Sequence, residues 1–375
     1  MDLQIFSRET SSESATHQSP TSRRTLGRHM FLTRIALLSA VVVIAAASAN
    51  TTSTPPTDVV DAAVEVCRLG GVGATPLGVF DAHLHLTQTT ANQTGAALLE
   101  ELDSAGVDGG LVYAVYGPMA ATTDANAEVA RLLSTGKGRL LGLASLNTSD
   151  WADQGARQLG NLKRFLALPG FVGVKLANPH TCLAFNDPKM ADIARVAAAA
   201  NKGVYVHTGT TPFCPNGTLG QALATPACCD APYVDVTLLE PLIKRHVDIP
   251  WVLLHSGYDF TPAASVATTE DAIRLASVYP NVFIETAVNF ADEPYPRDLP
   301  TARYPVPGGR AVLQKIRDAG VLDKALFGSD GNWNEFGVQS GLRRTVADAV
   351  ALGLSQDEIC ELIGGTMEKV LGFAG

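Results

Sequence analysis

The sequence predicts a parallel, eight-stranded (β/α)8 TIM barrel, and three observations lead to this fold class. Short apolar runs alternate eight times with longer segments of helical periodicity. Continuous apolar strands between helices indicate a parallel sheet that is covered on its outer face. Ionisable side chains stand at the ends of strands that are far apart in the sequence, and only a closed sheet brings these ends together. A doubly wound open sheet would give the same alternation, but no Gly-x-Gly-x-x-Gly motif follows the first strand.

The predicted elements follow one another in a single barrel domain that spans residues 79–375. The eight strands are predicted at Val79–Leu86, Gly110–Val115, Leu140–Leu146, Phe171–Leu176, Val204–His207, Trp251–His255, Val282–Thr286 and Ala325–Ser329. The helical segments between them include Gly95–Ala105, Ala125–Leu133, Met190–Ala200, Val236–His246 and Thr268–Ser277. A chain of 375 residues, 46% of them hydrophobic, is long enough to bury one large core of this kind.

A leader (residues 1–49) and then a linker with an N-terminal extension (residues 50–78) precede the barrel. The leader contains the apolar run Ile35–Ala49, which is shorter than the roughly 18–20 residues that a membrane-spanning helix needs. Its last residues are small, which predicts a secretory signal peptide cleaved before Asn50, with translation starting either at the first residue or at Met30. The alternative is an uncleaved membrane anchor that leaves the barrel outside the cytoplasm.

The cysteines and glycosylation motifs agree with a secreted protein. Six cysteines, an even number, are typical of an oxidising compartment. Cys214, Cys228 and Cys229 crowd one predicted loop and Cys182 lies in the preceding loop, so we expect a disulfide between these loops without a defined pairing. Potential N-glycosylation sites, which secretion would make usable, are Asn50, Asn92, Asn147 and Asn216.

The charge of the chain argues against one class of partner. The net charge is -9 and the isoelectric point is near 5.4, with no long run of Lys or Arg after residue 50. Such a surface repels a phosphate backbone, so nucleic acid is not an expected partner.

Five ionisable residues stand at or near the carboxyl ends of predicted strands. His83 and His85 lie on the first strand, and because side chains alternate between its faces, both imidazoles point the same way. His207 ends the fifth strand, His255 ends the sixth, and Asp330 follows the eighth. Any one of them alone is as readily a structural residue with satisfied hydrogen bonds as a functional one. However, an ionisable group at such a position is costly unless it is paired or binds a metal. Together they predict a metal site at the carboxyl end of the barrel.

Several motifs at these positions are similar to those of a known family. They are Asp81-x-His83-x-His85, Gly173-Val174-Lys175-Leu176, His255-Ser256-Gly257, Gly328-Ser329-Asp330 and the closing segment Ile363–Gly372. Between about Phe80 and Gly372 the chain resembles the amidohydrolase superfamily, and within it the amidohydrolase-related group that includes aminocarboxymuconate-semialdehyde decarboxylase and resorcylate-type decarboxylases. It departs from the group at Gly365 or Thr366, where an Asn often stands, and at Gly331-Asn332-Trp333, where relatives often have an aromatic residue and Pro.

The resemblance implies a role for each candidate residue. His83, His85, His207 and Asp330 are implied as the ligands of one divalent metal, Zn2+ with Mn2+ as the alternative. His255 is implied as a catalytic residue that holds and deprotonates a water molecule, and Asp330 as a ligand that also takes part in catalysis.

Lys175 on the fourth strand is the ambiguous third catalytic candidate. It is expected to bind a substrate carboxylate or to pair with Asp330 or Glu285. In binuclear relatives the corresponding lysine is carboxylated and bridges two metals, and here His207 and His255 would then hold the second metal.

The resemblance also implies the reaction. The leading interpretation is hydrolysis of an amide, ester or lactone bond in a small molecule by metal-activated water. The alternative is metal-dependent, non-oxidative decarboxylation of a conjugated or aromatic acid. A second alternative is a secreted binding barrel that has lost catalysis, against which stands the complete set of predicted ligands. No membrane contact is expected after signal cleavage. The sequence does not decide whether the protein forms a homo-oligomer.

Overall fold

The computed structural model describes most of the barrel and one helix that precedes it. The described residues are 55–68, 76–86, 94–114, 124–148, 151–211, 228–258, 269–287, 309–331 and 337–373. The predicted leader, the sequons at Asn50, Asn92 and Asn216, and Cys214 lie outside these ranges.

The predicted TIM barrel is confirmed. Eight strands, all parallel, lie in the order in which they occur along the chain. They are β1 (Phe80–His85), β2 (Gly109–Tyr113), β3 (Leu140–Ser145), β4 (Phe171–Leu176), β5 (Gly203–His207), β6 (Trp251–Leu254), β7 (Val282–Glu285) and β8 (Ala325–Leu326).

Hydrogen bonds join β1 to the segment that follows β8. Ala82 N donates to Phe327 O at 3.0 Å, and His85 N donates to Gly331 O at 3.1 Å. Gly331 also forms a parallel bridge with Leu84. The eighth strand is therefore shorter than the predicted Ala325–Ser329, because the chain leaves the regular ladder there while it stays paired with β1.

Helices alternate with the strands. They are α1 (Thr57–Arg68), α2 (Gly95–Ala105), α3 (Ala125–Thr135), α4 (Trp151–Leu166), α5 (Asn178–Thr181), α6 (Pro188–Ala199), α7 (Ala231–Val234), α8 (Glu240–Arg245), α9 (Thr269–Val278), α10 (Gly309–Asp318), α11 (Val338–Ala351), α12 (Gln356–Cys360) and α13 (Thr366–Phe373). Short 3-10 turns cover Val236–Leu239, His255–Gly257 and Leu322–Lys324, and a π-helical turn covers Glu361–Gly365.

Local sequence signals explain where these helices begin and end. Thr94 caps α2 by accepting a hydrogen bond from Ala97 N, and the helix stops at Gly106, whose φ of 80° suits glycine. Ser355 and Glu358 form a reciprocal capping box at the start of α12. Such caps satisfy backbone donors that an isolated helix end would leave without partners.

The apolar side chains form two layers on the two sides of the sheet. The inner layer fills the barrel and includes Phe80, Leu111, Leu143, Tyr205, Val252 and Phe283. Met367 and Val370 of α13 pack against this layer from the amino ends of the strands, where Phe373 meets Phe283. The outer layer lies between the strands and the surrounding helices. The amino end of the barrel is thus filled, which leaves the carboxyl end for chemistry.

Helix α1 packs on the barrel, although the sequence analysis did not predict it. Cys67 forms a disulfide with Cys360 of α12, with the two Cα atoms 5.2 Å apart. Gln356 Nε2 donates to Ala63 O at 2.9 Å. Within the described ranges, no helix is long and apolar enough to cross a membrane.

Candidate active site

The first part of the site is the end of β1, where a β-bulge turns His83 toward the barrel axis. Between Asp81 and Leu84 the register shifts, since the step from Asp81 to Leu84 on β1 is matched by only Gly110 to Val112 on β2. Ala82 therefore packs in the inner layer and Leu84 in the outer layer. Bulges of this kind re-aim side chains next to active sites.

Asp330 brings its carboxylate to the two imidazoles of β1. Asp330 Oδ1 lies 2.9 Å from His83 Nε2 and 2.9 Å from His85 Nε2, and the two Nε2 atoms are 3.1 Å apart. The backbone of Asp330 is left-handed, with φ 55°, a conformation that Asp tolerates better than most residues. Three of the four predicted metal ligands therefore converge on one point.

The donor set fits a divalent metal. Two imidazoles and one carboxylate are ligands that Zn2+ prefers, and tetrahedral bonds of about 2.0–2.1 Å place neighbouring donor atoms about 3.3 Å apart. The observed separations of 2.9 to 3.1 Å are close to this value. If His83 is protonated at Nδ1, the lone pairs of His83 Nε2 and Asp330 Oδ1 face each other, and a positive charge between them, either a metal ion or a proton, is favourable.

Glu285, the last residue of β7, holds His83 from the other side. The side chain is completely buried, and its Oε2 lies 3.2 Å from His83 Nδ1. The same Oε2 accepts a hydrogen bond from His255 N at 3.0 Å. An imidazole that donates from Nδ1 to a carboxylate keeps its Nε2 available as a ligand.

His255 lies in a left-handed turn at the end of β6. The φ angles of His255, Ser256 and Gly257 are 62°, 56° and 66°. Ser256 Oγ donates to the backbone oxygen of Glu285 at 2.7 Å, and Gly257 N donates to Thr208 Oγ1 at 2.9 Å. Left-handed backbone is costly for residues other than Gly, so its presence at a candidate catalytic residue points to function.

His207 stands beside His255 but outside the tight donor cluster. The ring centroids of the two histidines are 4.3 Å apart, and His207 Nε2 lies 3.2 Å from the carbonyl oxygen of Thr210. Among the described residues, the groups whose ligand atoms lie within 4.8 Å of one another are His83, His85 and Asp330, and His83, His255 and Glu285. If Nε2 donates to Thr210, the lone pair of His207 lies on Nδ1. Its role as the fourth ligand stays a prediction.

Lys175 and Tyr113 form one wall next to these histidines. Lys175 is 2% exposed, and its ammonium lies 4.7 Å from the centroid of the Tyr113 ring. That ring packs against His83 and His85 at centroid distances of 5.2 and 4.8 Å. Within the described residues, Lys175 makes no ion pair with Asp330 or Glu285, which the sequence analysis had weighed as its partners. A buried ammonium that forms no ion pair with the described carboxylates suits an anionic ligand.

A comparison of the sequence with protein families identifies the family of this barrel. The family model described as Amidohydrolase matches residues 80–373. The chain belongs to the amidohydrolase family. No curated protein matches the chain in sequence. The predicted resemblance is confirmed, and family membership makes the chain a metal-dependent enzyme that acts on a small molecule.

Solved structures agree with the fold of this amidohydrolase. An uncharacterised TIM-barrel protein from Bordetella bronchiseptica is 15% identical with a TM-score of 0.54, over 79% of this chain and 99% of that one. A protein described as a probable 2-pyrone-4,6-dicarboxylic acid hydrolase from Acinetobacter baumannii is 17% identical with a TM-score of 0.51, over 78% and 99%. The 2,6-dihydroxybenzoate decarboxylase from Rhizobium is 15% identical with a TM-score of 0.52, over 79% and 98%.

Burial favours the neutral form of His85, His207 and His255 in the amidohydrolase site, whereas His83 differs from them. Burial lowers the pKa of His85 to about 4, and it lowers the pKa of His207 and His255 well below the ordinary value. Burial also lowers the pKa of His83, but the negative charges of Asp330 and Glu285 outweigh it and raise that pKa overall. Neutral imidazoles are the form that binds metals or accepts protons.

The pKa values of three further groups in the site, two carboxyl groups and one amine, are shifted as well. Burial would raise the pKa of Asp330, but the charge of His83 and hydrogen bonds from His83 and His85 hold it well below its usual range. Burial lowers the pKa of Lys175 to about 7, although the charges of Asp330 and Glu285 oppose the shift. Burial raises the pKa of Asp81 to about 7. Perturbed values of this kind are typical of functional sites.

Two glycines allow this packing. A Cβ on Gly328 would overlap the carboxylate of Glu285 and lie 2.6 Å from His83 Cβ. Gly209 has φ 80°, and a Cβ there would lie 2.6 Å from Tyr258 N. Both positions therefore require glycine for close approach of the site elements.

Three residues of the amidohydrolase site were not predicted from the sequence as members of it. Glu285 was weighed only as a partner for Lys175, although a carboxylate at the end of an apolar strand carries the same signal as the five predicted residues. Tyr113 ends β2, two residues before the predicted end of that strand. His180 of α5 packs edge-on against His207 with ring centroids 5.2 Å apart. No sequence pattern predicts the position of His180, because its helix has four residues and is too short to show a helical periodicity.

A disulfide holds the loop that carries His180. Cys182 bonds to Cys228, and Cys228 N donates to Pro179 O at 2.8 Å. Cys229 is disulfide-bonded as well. The expected disulfide between the fourth and fifth strand-end loops is therefore present, and it fixes one side of the site.

Proposed function

We propose that the chain is a metal-dependent hydrolase that cleaves an amide, ester or lactone bond in a small molecule bearing a carboxylate. The metal is one divalent ion, Zn2+ or in its place Mn2+, held by His83, His85, His207 and Asp330. The observation that carries the proposal is the convergence of His83 Nε2, His85 Nε2 and Asp330 Oδ1 within 3.1 Å of one another. When bound, such an ion polarises a carbonyl oxygen and lowers the pKa of water toward neutrality.

His255 is the proposed general base. Its imidazole packs against His83 at a centroid distance of 4.8 Å, so it borders the donor cluster without belonging to the trio. Burial lowers its pKa well below the ordinary value, which keeps the ring neutral and able to accept a proton. The left-handed turn and its hydrogen bonds to Glu285 and Thr208 fix the ring in place. Asp330 is the carboxylate that neutralises positive charge at the reacting centre.

Lys175 is the proposed anchor for the substrate carboxylate. Its ammonium is buried and, within the described part of the chain, has an aromatic face beside it where a carboxylate could otherwise stand. Binding an anion there would restore the positive charge that burial disfavours. Tyr113 lines the same wall and excludes water from it.

Decarboxylation of a conjugated or aromatic acid is the second candidate. The structurally similar Rhizobium protein is a 2,6-dihydroxybenzoate decarboxylase, and an anchored carboxylate next to a buried base suits this reaction as well. There the bond between the carboxylate and the ring carbon breaks, CO2 leaves, and a proton is delivered to the carbon. A barrel that has lost catalysis has less support, since none of the predicted ligand residues is missing.

Metal content and a substrate panel test the proposal together. Purified protein from Asn50 onward is expected to hold about one divalent metal per chain. With Zn2+ or Mn2+ it should release acid from esters, lactones or amides that carry a carboxylate, whereas CO2 release from aromatic acids would select the second candidate. Lys175→Met should raise KM for the carboxylate substrate more than for its methyl ester. The proposal fails if reconstituted protein binds no metal.

A site with two metal ions is the alternative to the single-metal site, and the measurement of metal content distinguishes the two. Two metals per chain, with a mass increase on Lys175 that matches carboxylation, would replace the single-metal arrangement. Burial lowers the pKa of Lys175 to about 7, and a neutral amine is the form that adds CO2. The single-metal proposal predicts an unmodified Lys175.

We also propose that the protein is secreted after cleavage of the signal peptide, and that the barrel domain spans residues 79–375. Two disulfides between described residues support an oxidising compartment. An anchored protein with the barrel outside the cytoplasm is the alternative. Glycosylation of the four sequons belongs to the same proposal.

A further inference from the structure

We infer that Glu285 is a positioning residue that sets both the metal-binding tautomer of His83 and the backbone turn that carries His255. The inference rests on one part of the proposed function, the role of His83 as a metal ligand. It does not depend on which reaction the site catalyses.

The geometry of the Glu285 carboxylate supplies the first step. Oε2 receives two donors, His83 Nδ1 at 3.2 Å and His255 N at 3.0 Å. Oε1 receives a third donor, Ala287 N at 2.6 Å. The carboxylate is fully buried, and Gly328 leaves just enough room for it. Three donors thus converge on one side chain from three different backbone positions.

An ionised carboxylate is the side chain that satisfies all three donors. Two of them are backbone N–H groups, which can only donate. An amide at this position has one acceptor oxygen, and its NH2 group would face at least one N–H. If the NH2 faced His83, Nδ1 would have to accept, and the ring proton would move to Nε2. A protonated Nε2 cannot bind a metal, so an amide at this position permits a His83 tautomer that the ionised carboxylate excludes.

The same oxygen also holds the turn of β6. His255 and Ser256 have left-handed φ angles of 62° and 56°, which cost free energy in non-glycine residues. The hydrogen bonds from His255 N to Oε2 and from Ser256 Oγ to the backbone oxygen of Glu285 offset that cost. One residue therefore links the metal ligand on β1 with the base on β6.

A pair of variants at the two ends of β7, Glu285 as its last residue and Asn281 immediately before its first, tests the inference. Glu285→Gln removes the charge at the carboxyl end of β7. Asn281→Ala is the matched control at the amino end, where Asn281 is also fully buried and its Nδ2 donates to His246 O and Ile249 O at 3.0 Å. Zn2+ affinity is measured by competition with a chelator, and stability by denaturant unfolding of the metal-free protein.

Glu285→Gln should raise the Kd for Zn2+ by about 10–100-fold, the range typical for partners of metal-bound histidines. Asn281→Ala should lose stability while its Kd stays within about threefold of the unmutated protein. In 15N spectra recorded at one Zn2+ concentration, the signal of His83 with its ring proton on Nδ1 and the metal on Nε2 should be weaker in Glu285→Gln than in the unmutated protein.

The inference is overturned if Glu285→Gln binds Zn2+ as tightly as the unmutated protein, or if Asn281→Ala weakens binding equally. Should Glu285→Gln not fold, Glu285→Asp replaces it: the carboxylate is kept but withdrawn, and a Kd unchanged from the unmutated protein overturns the inference as well. If the unmutated protein binds no Zn2+, the proposed function fails too, so the two failures are distinguishable.

Discussion

Substituting His255 by Asn separates the roles of base and ligand most directly. Asn removes the ring that is proposed to accept a proton. It also suits the backbone, because Asn populates the left-handed region more readily than most residues and His255 has φ 62°. The turn and its hydrogen bond from the backbone of residue 255 to Glu285 should therefore survive the change. His255→Ala would add backbone strain, so loss of the ring and distortion of the turn would both affect the measured turnover.

The expected magnitudes follow from the position of each histidine. His83 and His85 belong to the cluster with Asp330, whereas His255 contacts that cluster only through its ring. Losing a general base lowers turnover by roughly 10²–10⁴-fold, which corresponds to about 3–5 kcal/mol of transition-state stabilisation. A ligand stabilises the ion in every state, so its loss affects metal content and turnover together.

Metal analysis and steady-state kinetics measure the two quantities on the same samples. His255→Asn should keep close to one metal per chain and lose turnover on the substrate found in the panel. His207→Asn should lose both. His246→Asn, a histidine at the end of α8 and away from the site, should change neither.

Two results would refute this reasoning. If His255→Asn loses the metal as completely as His207→Asn, then His255 is itself a ligand and the binuclear arrangement through Lys175 is the better model. If His255→Asn keeps full turnover, a different residue takes the proton.

Two further predictions concern the compartment and the disulfides. Protein made by a secreting host should begin at Asn50 and contain no free thiol, and N-terminal sequencing with thiol titration would refute secretion if it found Ile35–Ala49 intact and six thiols. Replacing Cys67 and Cys360 together by Ser should lower the free energy of unfolding by about 2–5 kcal/mol, since the bridge constrains a long segment of the unfolded chain. Metal content should not change, and a loss below about 1 kcal/mol in denaturant unfolding would contradict the expectation.

The barrel could be predicted because its strands carry a strong local signal. Runs such as Trp251–Leu254 are apolar at every position, as buried parallel strands require. The same argument placed His83 and Asp330 together, because the carboxyl ends of all strands in a closed parallel barrel meet at one face. Sequence separation does not matter for this step. The fold and the shared position of these residues therefore follow from one physical rule, whereas their roles as ligands were implied by the family resemblance.

The features that were not predicted are those that the strand-end rule does not cover. Tyr113 was passed over because the predicted second strand continues to Val115, so Tyr113 did not count as a strand end. Helix α1 has apolar residues at Val60, Val64 and Cys67, but its contact with α12 depends on tertiary packing. The pairing of Cys182 with Cys228 depends on the proximity of their Cα atoms, which are 5.2 Å apart in the structure, and no spacing in the sequence encodes that proximity.

Backbone strain in this protein coincides with the candidate chemistry. His255, Ser256 and Asp330 are three of the six non-glycine residues with positive φ among the described residues. Each such residue costs on the order of 1–3 kcal/mol, so these positions would be relaxed if stability alone determined them. Hydrogen bonds offset the strain at His255 and Ser256 through Glu285, and pairing of Gly331 with β1 does so next to Asp330. The strained segments place the ring of His255 at a centroid distance of 4.8 Å from His83, and the carboxylate of Asp330 at 2.9 Å from His83 Nε2. Both contacts lie at left-handed residues, so the strain at these positions accompanies the convergence of the two side chains on His83.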